Sequence, residues 1–367
     1  MGRISILPII SRDEGINQRY GGRWMLRVLS LEEAEQWDNI VRGFRDYDTY
    51  WLSGYVKAFE IHGDGEPLLF FYEGEEVRGI NVVMKRDIAK DTRFFGKIPE
   101  GQFFDFTTPY GYGGWLTEGK KTEKMFTAYQ EWINKNRIIS EFVRFHPIIQ
   151  NHRLANGFYE VIRLGEVVHM DLTSPELIWE NIISKNRNVI RKAIKNGVRI
   201  YNGRYPEIYR TFKKIYNGTM DKDHAEEYYY FGDEFYESIL EDLPRNAQVF
   251  YAEKDGQVIA ASIMLHANGK MNYHLSGSLR ESSSLAPTNL LIYQAALWGH
   301  ENGYRTLYMG GGVGSGEDSL FKFKRAFYKG ELNRFYIGKK IYDQEKYDEL
   351  TTLRGNPETS YFPRYRG

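Results

Sequence analysis

The chain has no cysteine, no excess of charge of either sign and no long apolar run, and each absence removes a class of explanation. Without thiols there is no disulfide scaffold, no thiolate metal site and no cysteine nucleophile, and the composition suits a reducing compartment. Lys+Arg and Asp+Glu number 49 each, so the formal net charge is zero and no global field draws the chain toward nucleic acid or a membrane. A polyanion must therefore meet a local patch. Nothing approaches the ~18 consecutive apolar residues of a bilayer span, and the apolar run at residues 4–10 is too short for the core of a secretory signal. The expectation is a soluble, cytoplasmic protein. The eight histidines are scattered, with His146 and His152 the nearest pair in the first half and no His-Glu-x-x-His, so no metal site is expected. There is no Gly-x-Ser-x-Gly nucleophile elbow. Residues 114–121 have the outline of a phosphate loop, but Lys121 stands where its magnesium-binding hydroxyl belongs.

What the chain does have is aromatic weight and a clear succession of elements. Its 367 residues are enough for two cores, and 28 tyrosines outnumber 22 phenylalanines. Tyrosine buries a ring while its hydroxyl keeps a polar partner, which suits wet grooves as well as ordinary packing. The clearest pattern runs from residue 248 to 330. Strands are expected at 249–252, 258–265 and 271–278, with Lys254-Asp255-Gly256 and Asn268-Gly269 closing two hairpins. Pro287 opens a helix that carries Leu290, Leu291, Ala295 and Trp298 on one side and stops near Gly303. A strand at 304–309 runs into Gly310-Gly311-Gly312, behind which no clear helix is legible.

The first half repeats this order. A helix with Ser30 as N-cap spans 31–44, a second covers 50–59, and a hairpin pairs 67–72 with 77–85. A third strand at 103–107, the loop 108–114, a helix at 123–134 and a strand at 141–145 complete it. Phe70-Phe71-Tyr72-Glu73-Gly74-Glu75 answers Phe250-Tyr251-Ala252-Glu253-Lys254-Asp255 at about half the chain length. The fold class is therefore α+β, with tandem copies of one unit, each a mostly antiparallel sheet flanked by helices. Boundaries are expected at 1–160, 161–345 and a charged tail at 346–367 that wraps the surface.

Between the copies, an extended run at 161–172 leads to Ser174-Pro175, the start of one long helix to about residue 196. It is the most basic helix of the chain, with Lys185, Arg187, Arg191, Lys192 and Lys195 opposite an apolar face, and Gly197 ends it. Helices at 206–220 and 231–240 follow.

Three stretches in this order resemble the FemABX family: the basic run from Lys185 to Val198, Lys270-x-x-Tyr273-x-x-Ser276-Gly277-Ser278, and Leu320-Phe321-Lys322-Phe323-Lys324-Arg325-Ala326-Phe327. The likeness covers the second half well and the first half by element order. It implies two tandem GNAT-like domains, the first on the acceptor side and the second on the donor side, without the long helical hairpin of some members. It further implies transfer of an amino acid from aminoacyl-tRNA to an amine of a UDP- or lipid-linked muropeptide, with no cofactor. A lipid-linked acceptor would bring the chain into transient contact with a membrane surface. Two positions depart from the family pattern: Tyr328 stands where a glycine usually ends the last motif, and Lys222, in the run after Thr219, where arginine is frequent.

Aminolysis of an ester needs a held neutral amine, a donor for the developing oxyanion and a route for the amine proton. By motif position Lys324 is the candidate cationic donor, with Lys322 either a phosphate contact or a surface lysine. Tyr273 and Ser276 are candidate acceptor contacts, with a sheet-capping tyrosine as the alternative. Arg191 leads the phosphate candidates, because a guanidinium holds a phosphate bidentately; Lys185, Arg187 and Lys192 accompany it, unless the helix is simply solvated. In the first unit, Tyr110 and Tyr112 wall a glycine loop where backbone can approach a ligand, and Lys57 is a candidate for a precursor diphosphate. Two other readings stay open: an acyl-CoA-dependent N-acyltransferase, against which residues 281–287 offer neither glycine nor arginine for a pyrophosphate, and a non-catalytic precursor-binding relative.

Overall fold

The computed structural model describes residues 19–20, 23–24, 26–155 and 157–367, so the apolar run at residues 4–10 lies outside the described residues. The first unit opens with β1 (Arg19–Tyr20), β2 (Arg23–Trp24) and β3 (Leu26–Leu29). Ser30 caps a short 3-10 turn that leads into α1 (Ala34–Arg42), and α2 is Ser53–His62. The hairpin β4 (Glu66–Glu73) and β5 (Val77–Asp87), then β6 (Phe104–Thr107), β7 (Leu116–Gly119), α3 (Glu123–Lys135) and β8 (Ile138–Arg144) complete it. A long strand, β9 (Glu160–Asp171), crosses to the second unit, which begins with α4 (Pro175–Asn181), α5 (Ser184–Lys195), β10 (Arg199–Gly203), α6 (Pro206–Lys222) and α7 (Asp233–Asp242). Its core run is β11 (Ala247–Lys254), β12 (Gln257–Ala267), β13 (Lys270–Ser278), α8 (Pro287–Glu301), β14 (Thr306–Gly310) and α9 (Ser319–Arg325). The chain ends with β15 (Asn333–Ile341) and α10 (Gln344–Leu353).

Both copies have the expected order of hairpin, third strand, helix and fourth strand. In each, the third strand runs parallel to the fourth, β6 to β8 and β13 to β14, as a helical crossover between them requires. The two hairpins of the second copy close on Asp255-Gly256 and Asn268-Gly269, all four at positive φ. The two sheets are one. Among the described residues thirteen strands join in the order β10-β11-β12-β13-β14-β9-β15-β8-β6-β5-β4-β3, with β7 beside β5. The join is made by β9, whose first part pairs with β15 and whose last part pairs with β14.

Three expectations need correction, and three strands were not expected. The basic helix is two helices, because Ile182 and Ile183 are extended and the Ile183 amide donates to the Ala326 carbonyl at 3.1 Å instead of continuing the helical ladder. A helix, α9, does follow the glycine turn. Its N-cap Asp318 accepts from the Phe321 amide at 2.8 Å, and Lys324 lies on a face of this helix. Strands β7, β10 and β15 have no apolar alternation long enough to have been legible as such. Finally, the tail does not merely wrap the surface. Tyr347, Leu350 and Tyr365 pack with Ile88, Phe94 and Ile139 of the first unit, and just before the tail β15 inserts between β9 and β8.

The tail is held by charge as well. Arg366 donates to Asp105 at 2.6 Å and pairs with Asp91 at 3.1 Å, while Arg86 holds the other oxygen of Asp105 at 2.7 Å. Burial pushes the Asp105 carboxyl up, but Arg366 and Arg86 more than offset it and hold it below the ordinary aspartate range. No described helix is long and apolar enough to cross a membrane.

Breaking a buried ion pair from one side leaves an uncompensated charge. Arg366→Gln should therefore lower stability by about 2–3 kcal/mol at neutral pH, read as a lower urea midpoint. Because the folded pKa of Asp105 is depressed, the difference from wild type should shrink as pH falls below the ordinary value of 3.8. An unchanged midpoint at pH 7 would show that the tail is not anchored this way.

Candidate active site at the split strands

β13 and β14 pair only from Lys270–Thr306 to Asn272–Tyr308, after which they separate. A sheet that splits leaves backbone groups without a ladder partner and opens a slot between its two faces. The facing strand makes the slot asymmetric. Leu275 pairs with Ile263 and Tyr273 with Met264, so His274 is the extra residue of a β-bulge. Its ring lies 5.7 Å from both Tyr55 and Tyr110, on the face that meets the first unit. Tyr273 packs on the opposite face, with the core that holds Phe321 and α8.

On that second face Tyr273 sits beside Ser276 and Ser262, and Lys324 lies on α9, whose Phe321 packs into the same core. Ser262 and Ser276 share a 2.6 Å hydrogen bond; burial pushes the Tyr273 phenol up, and these two hydroxyls beside it pull it part of the way back. Lys324 is 9% exposed, and its ammonium donates to the Gly311 carbonyl at 2.6 Å. Burial lowers its pKa to about 8 against the upward pull of Asp318. The turn that allows this approach depends on glycine. Gly310 has φ +82°, and a Cβ there would sit 3.3 Å from the lysine nitrogen. Asp318 accepts from the Val313 amide at 3.0 Å and from the Phe321 amide, folding the glycine turn back over α9. The result is a desolvated cation that donates to a carbonyl, at the end of a split strand. Such a group stabilises negative charge that develops beside it far better than a solvated one.

On the first-unit face lie Tyr110, Tyr112, Tyr308 and Arg144. Tyr112 and Tyr308 touch hydroxyl to hydroxyl, joining the loop of one copy to the fourth strand of the other. Burial pushes the Tyr110 phenol up to about 12. Arg144 ends β8; its guanidinium lies 5.3 Å over the Phe335 ring, and its Nε is buried with no hydrogen-bond partner. Beneath them Asp48 and His146, both fully buried, meet at 3.0 Å, and Asn272 of β13 donates to Asp48 at 3.0 Å. The His146 Nδ1 accepts from the Ile148 and Ile149 amides, so its Nε2 carries the proton donated to Asp48. Burial works to raise the Asp48 carboxyl, but the His146 hydrogen bond and Lys270 outweigh it and hold it low. This network ties the mouth of the split to the first unit.

The remaining sequence candidates fall elsewhere. Lys185, Arg191 and Lys192 are exposed and Arg187 is partly buried, with Arg191 5.0 Å and Arg187 5.9 Å over the Trp179 ring. Their helix is tied to that of Lys324 through Asn186, which donates to the Ala326 carbonyl at 3.3 Å. Lys322 points to solvent, and Lys222 pairs with Asp223 at 3.5 Å. Lys57 is ion-paired with Asp242 of α7 at 2.9 Å and joins neither face of the slot. The glycine at 111 serves packing, since a Cβ there would strike the Tyr50 ring at 2.5 Å. Sequence reading missed Arg144, His274, Asp48 and His146. A lone arginine at a strand end and a bulge residue carry no local pattern, and Asp48 and His146 are far apart in the chain. No cluster of three or more histidine, aspartate or glutamate side chains suited to a metal occurs among the described residues.

A family model described as an acetyltransferase (GNAT) domain matches residues 184–325. The chain is 28% identical over 172 residues to a UDP-N-acetylmuramoylpentapeptide-lysine N(6)-alanyltransferase of Weissella viridescens, covering 46% of this chain and 49% of that protein. It thus spans about half the length of the curated relative it matches. Among solved structures, FemX superposes with a TM-score of 0.64 at 12% identity, covering 86% of this chain and 98% of FemX. The C-terminal domain of a putative lysylphosphatidylglycerol synthetase from Agrobacterium fabrum superposes at 0.54 and 15% identity, covering 89% and 98%. The fold is the tandem GNAT-like one, shared with FemX, and the likeness in sequence is to the alanyltransferase.

A buried ammonium without a carboxylate is a cost to the fold. Below about pH 8 Lys324 is charged whether the chain is folded or not, and the folded state carries the full penalty; between 8 and the ordinary 10.5 the folded protein loses the proton first and the penalty fades. Lys324→Met should raise stability by on the order of 1–3 kcal/mol at pH 7, with a smaller gain at pH 10. Equal or lower stability in urea melts at pH 7 would overturn this account of the site.

Proposed function

We propose that this chain is an aminoacyltransferase that moves an amino acid from aminoacyl-tRNA to an amine of a peptidoglycan precursor. The observation that carries the reading is the buried Lys324 ammonium at the open end of the split strands, within the segment that matches a GNAT domain. The partial identity to an alanyltransferase that acts on a muramoylpentapeptide lysine supports the choice of an aminoacyl group and of the acceptor.

The chemistry is an ester aminolysis. The neutral acceptor amine attacks the ester carbonyl, a C–N bond forms, and the carbonyl oxygen takes up negative charge. Lys324, cationic below about pH 8, stabilises that oxygen. The C–O bond to the ribose then breaks, and the proton shed by the amine ends on the ribose oxygen. The slot lets the two reactants approach from opposite faces, the precursor from the first-unit side and the aminoacyl end from the side of Lys324 and Tyr273. The basic helix α5, fastened to α9 through Asn186, lies where a tRNA backbone can be met by Lys185, Arg187, Arg191 and Lys192.

An acyl-CoA donor is the second reading, favoured by the GNAT family match itself. The entrance to α8 speaks against it. Pro287 supplies no amide at the first helical position, and the Ala286 amide is already bonded to the Ser283 carbonyl at 3.1 Å. A pyrophosphate finds few free donors there.

The test is mass gain on a UDP-linked muropeptide incubated with the protein, charging enzymes, bulk tRNA and mixed amino acids. Gain of one amino-acid residue, abolished by ribonuclease, is expected. Lys324→Ala should lower the rate by about 10²–10³-fold, and wild-type activity should fall as pH rises through about 8, a limb that Lys324→Arg should lack. Full activity in Lys324→Ala would sink the proposed role of this lysine. No gain, with saturable acetyl-CoA binding by calorimetry, would establish the second reading instead.

A further inference from the structure

Arg144 is a cation on the first-unit face of the cleft, and it has no counter-ion. It is partly buried, its Nε has no hydrogen-bond partner, and no carboxylate among the described residues is paired with it. Its surroundings are phenols: its charge eases the ionisation of Tyr55, Tyr110, Tyr112 and Tyr308 against the burial that raises all four. None of these carries charge at neutral pH. The backbone holds the residue firmly, because its amide donates to the Thr108 hydroxyl at 3.3 Å and its carbonyl accepts from the Gly113 amide at 2.9 Å. Its guanidinium is stacked over Phe335. A guanidinium that has lost part of its water, faces hydroxyl groups and lacks an anion is a receptor for one.

We propose that Arg144, stacked over Phe335 with its Nε unpartnered, is an oxyanion subsite on the first-unit face of the cleft. It receives a carboxylate or phosphoryl group of the acceptor and so positions the acceptor amine at the slot. This rests on the reading of the cleft as an acceptor site. It adds a specificity element: an acceptor that presents its amine but no anion at the matching distance is held poorly. Gly310, where the Lys324 ammonium approaches, lies two residues beyond Tyr308, roughly 7 Å along the strand. The anion would thus be gripped close to the reacting centre without sharing its lysine.

The test uses the full chain and separates this subsite from the transfer reaction. The Nε–H signal of Arg144 in an arginine-labelled sample, identified by its absence in Arg144→Lys, is followed while sodium pyrophosphate or glutarate is added. A saturable shift with pyrophosphate assigns phosphoryl recognition, one with glutarate assigns carboxylate recognition, and no shift with either overturns the subsite whatever the enzyme transfers. In the transfer assay, Arg144→Met, which keeps the stem over Phe335, should raise KM for the muropeptide about 10- to 100-fold with little change in kcat. Arg144→Lys, which keeps charge but not the fork, should recover part of the loss. Thermal melts of both variants check that the fold is intact. A fall in kcat at unchanged KM would overturn the positioning role even if the amino-acid transfer itself stands.

Discussion

The structure turns on two strands that stop pairing. β13 and β14 share only three residue pairs, from Lys270–Thr306 to Asn272–Tyr308, before they diverge. Hydrogen-bonded sheets resist such gaps, since each unpaired amide and carbonyl must find water or a ligand. This one is kept open from both sides. The bulge at His274 turns β13 away on one side, and on the other the glycine turn after β14 is pinned by Asp318 and filled by the Lys324 side chain. The same geometry that weakens the sheet places a desolvated ammonium beside the opening.

A split sheet would be a fragile centre for an isolated domain. Here it is braced by a second copy of the same unit, fused edge to edge through β9 and β15 into one continuous sheet. Asp48, His146 and Asn272 clamp the mouth of the split from the first unit, all three buried. The tail then crosses back and is locked by Arg366 onto Asp105. The two copies have diverged in use. In the second, the opening carries the buried Lys324 ammonium; in the first, the equivalent strand end carries Arg144 and a wall of tyrosines. The high tyrosine content is explained in good part here, because the interface needs rings for packing and hydroxyls that tolerate a neighbouring guanidinium without demanding a charge of their own.

Much of this was legible in the chain. The hairpin turns, the proline at the start of α8 and the repeated order of strands and helix follow from local rules, and the motif around Lys324 drew attention to a lysine that the fold buries. The failures have physical causes. Ile182 and Ile183 continue the helical spacing of apolar residues, and only the Ala326 carbonyl, supplied from far along the chain, breaks the helix there. β15 reads as a mixed polar segment because its neighbours on both sides supply burial that its own pattern does not announce. Lys57 looked free in sequence and is taken by Asp242.

The sequence by itself determined the elements, their duplication and the side-chain chemistry available: no thiol, no metal motif, a lysine after a glycine turn. Those are consequences of backbone preference and short-range spacing, which a chain carries in any context. Only the tertiary structure decided which cations are solvated and which are not. Lys322 and Lys324 are two residues apart, yet one is exposed and the other is 9% exposed with its pKa lowered to about 8. Arg144 and Arg86 are both arginines at strand ends, yet one meets Asp105 and the other no anion. Desolvation and pairing depend on what the rest of the chain brings within a few ångströms, and no local pattern specifies that.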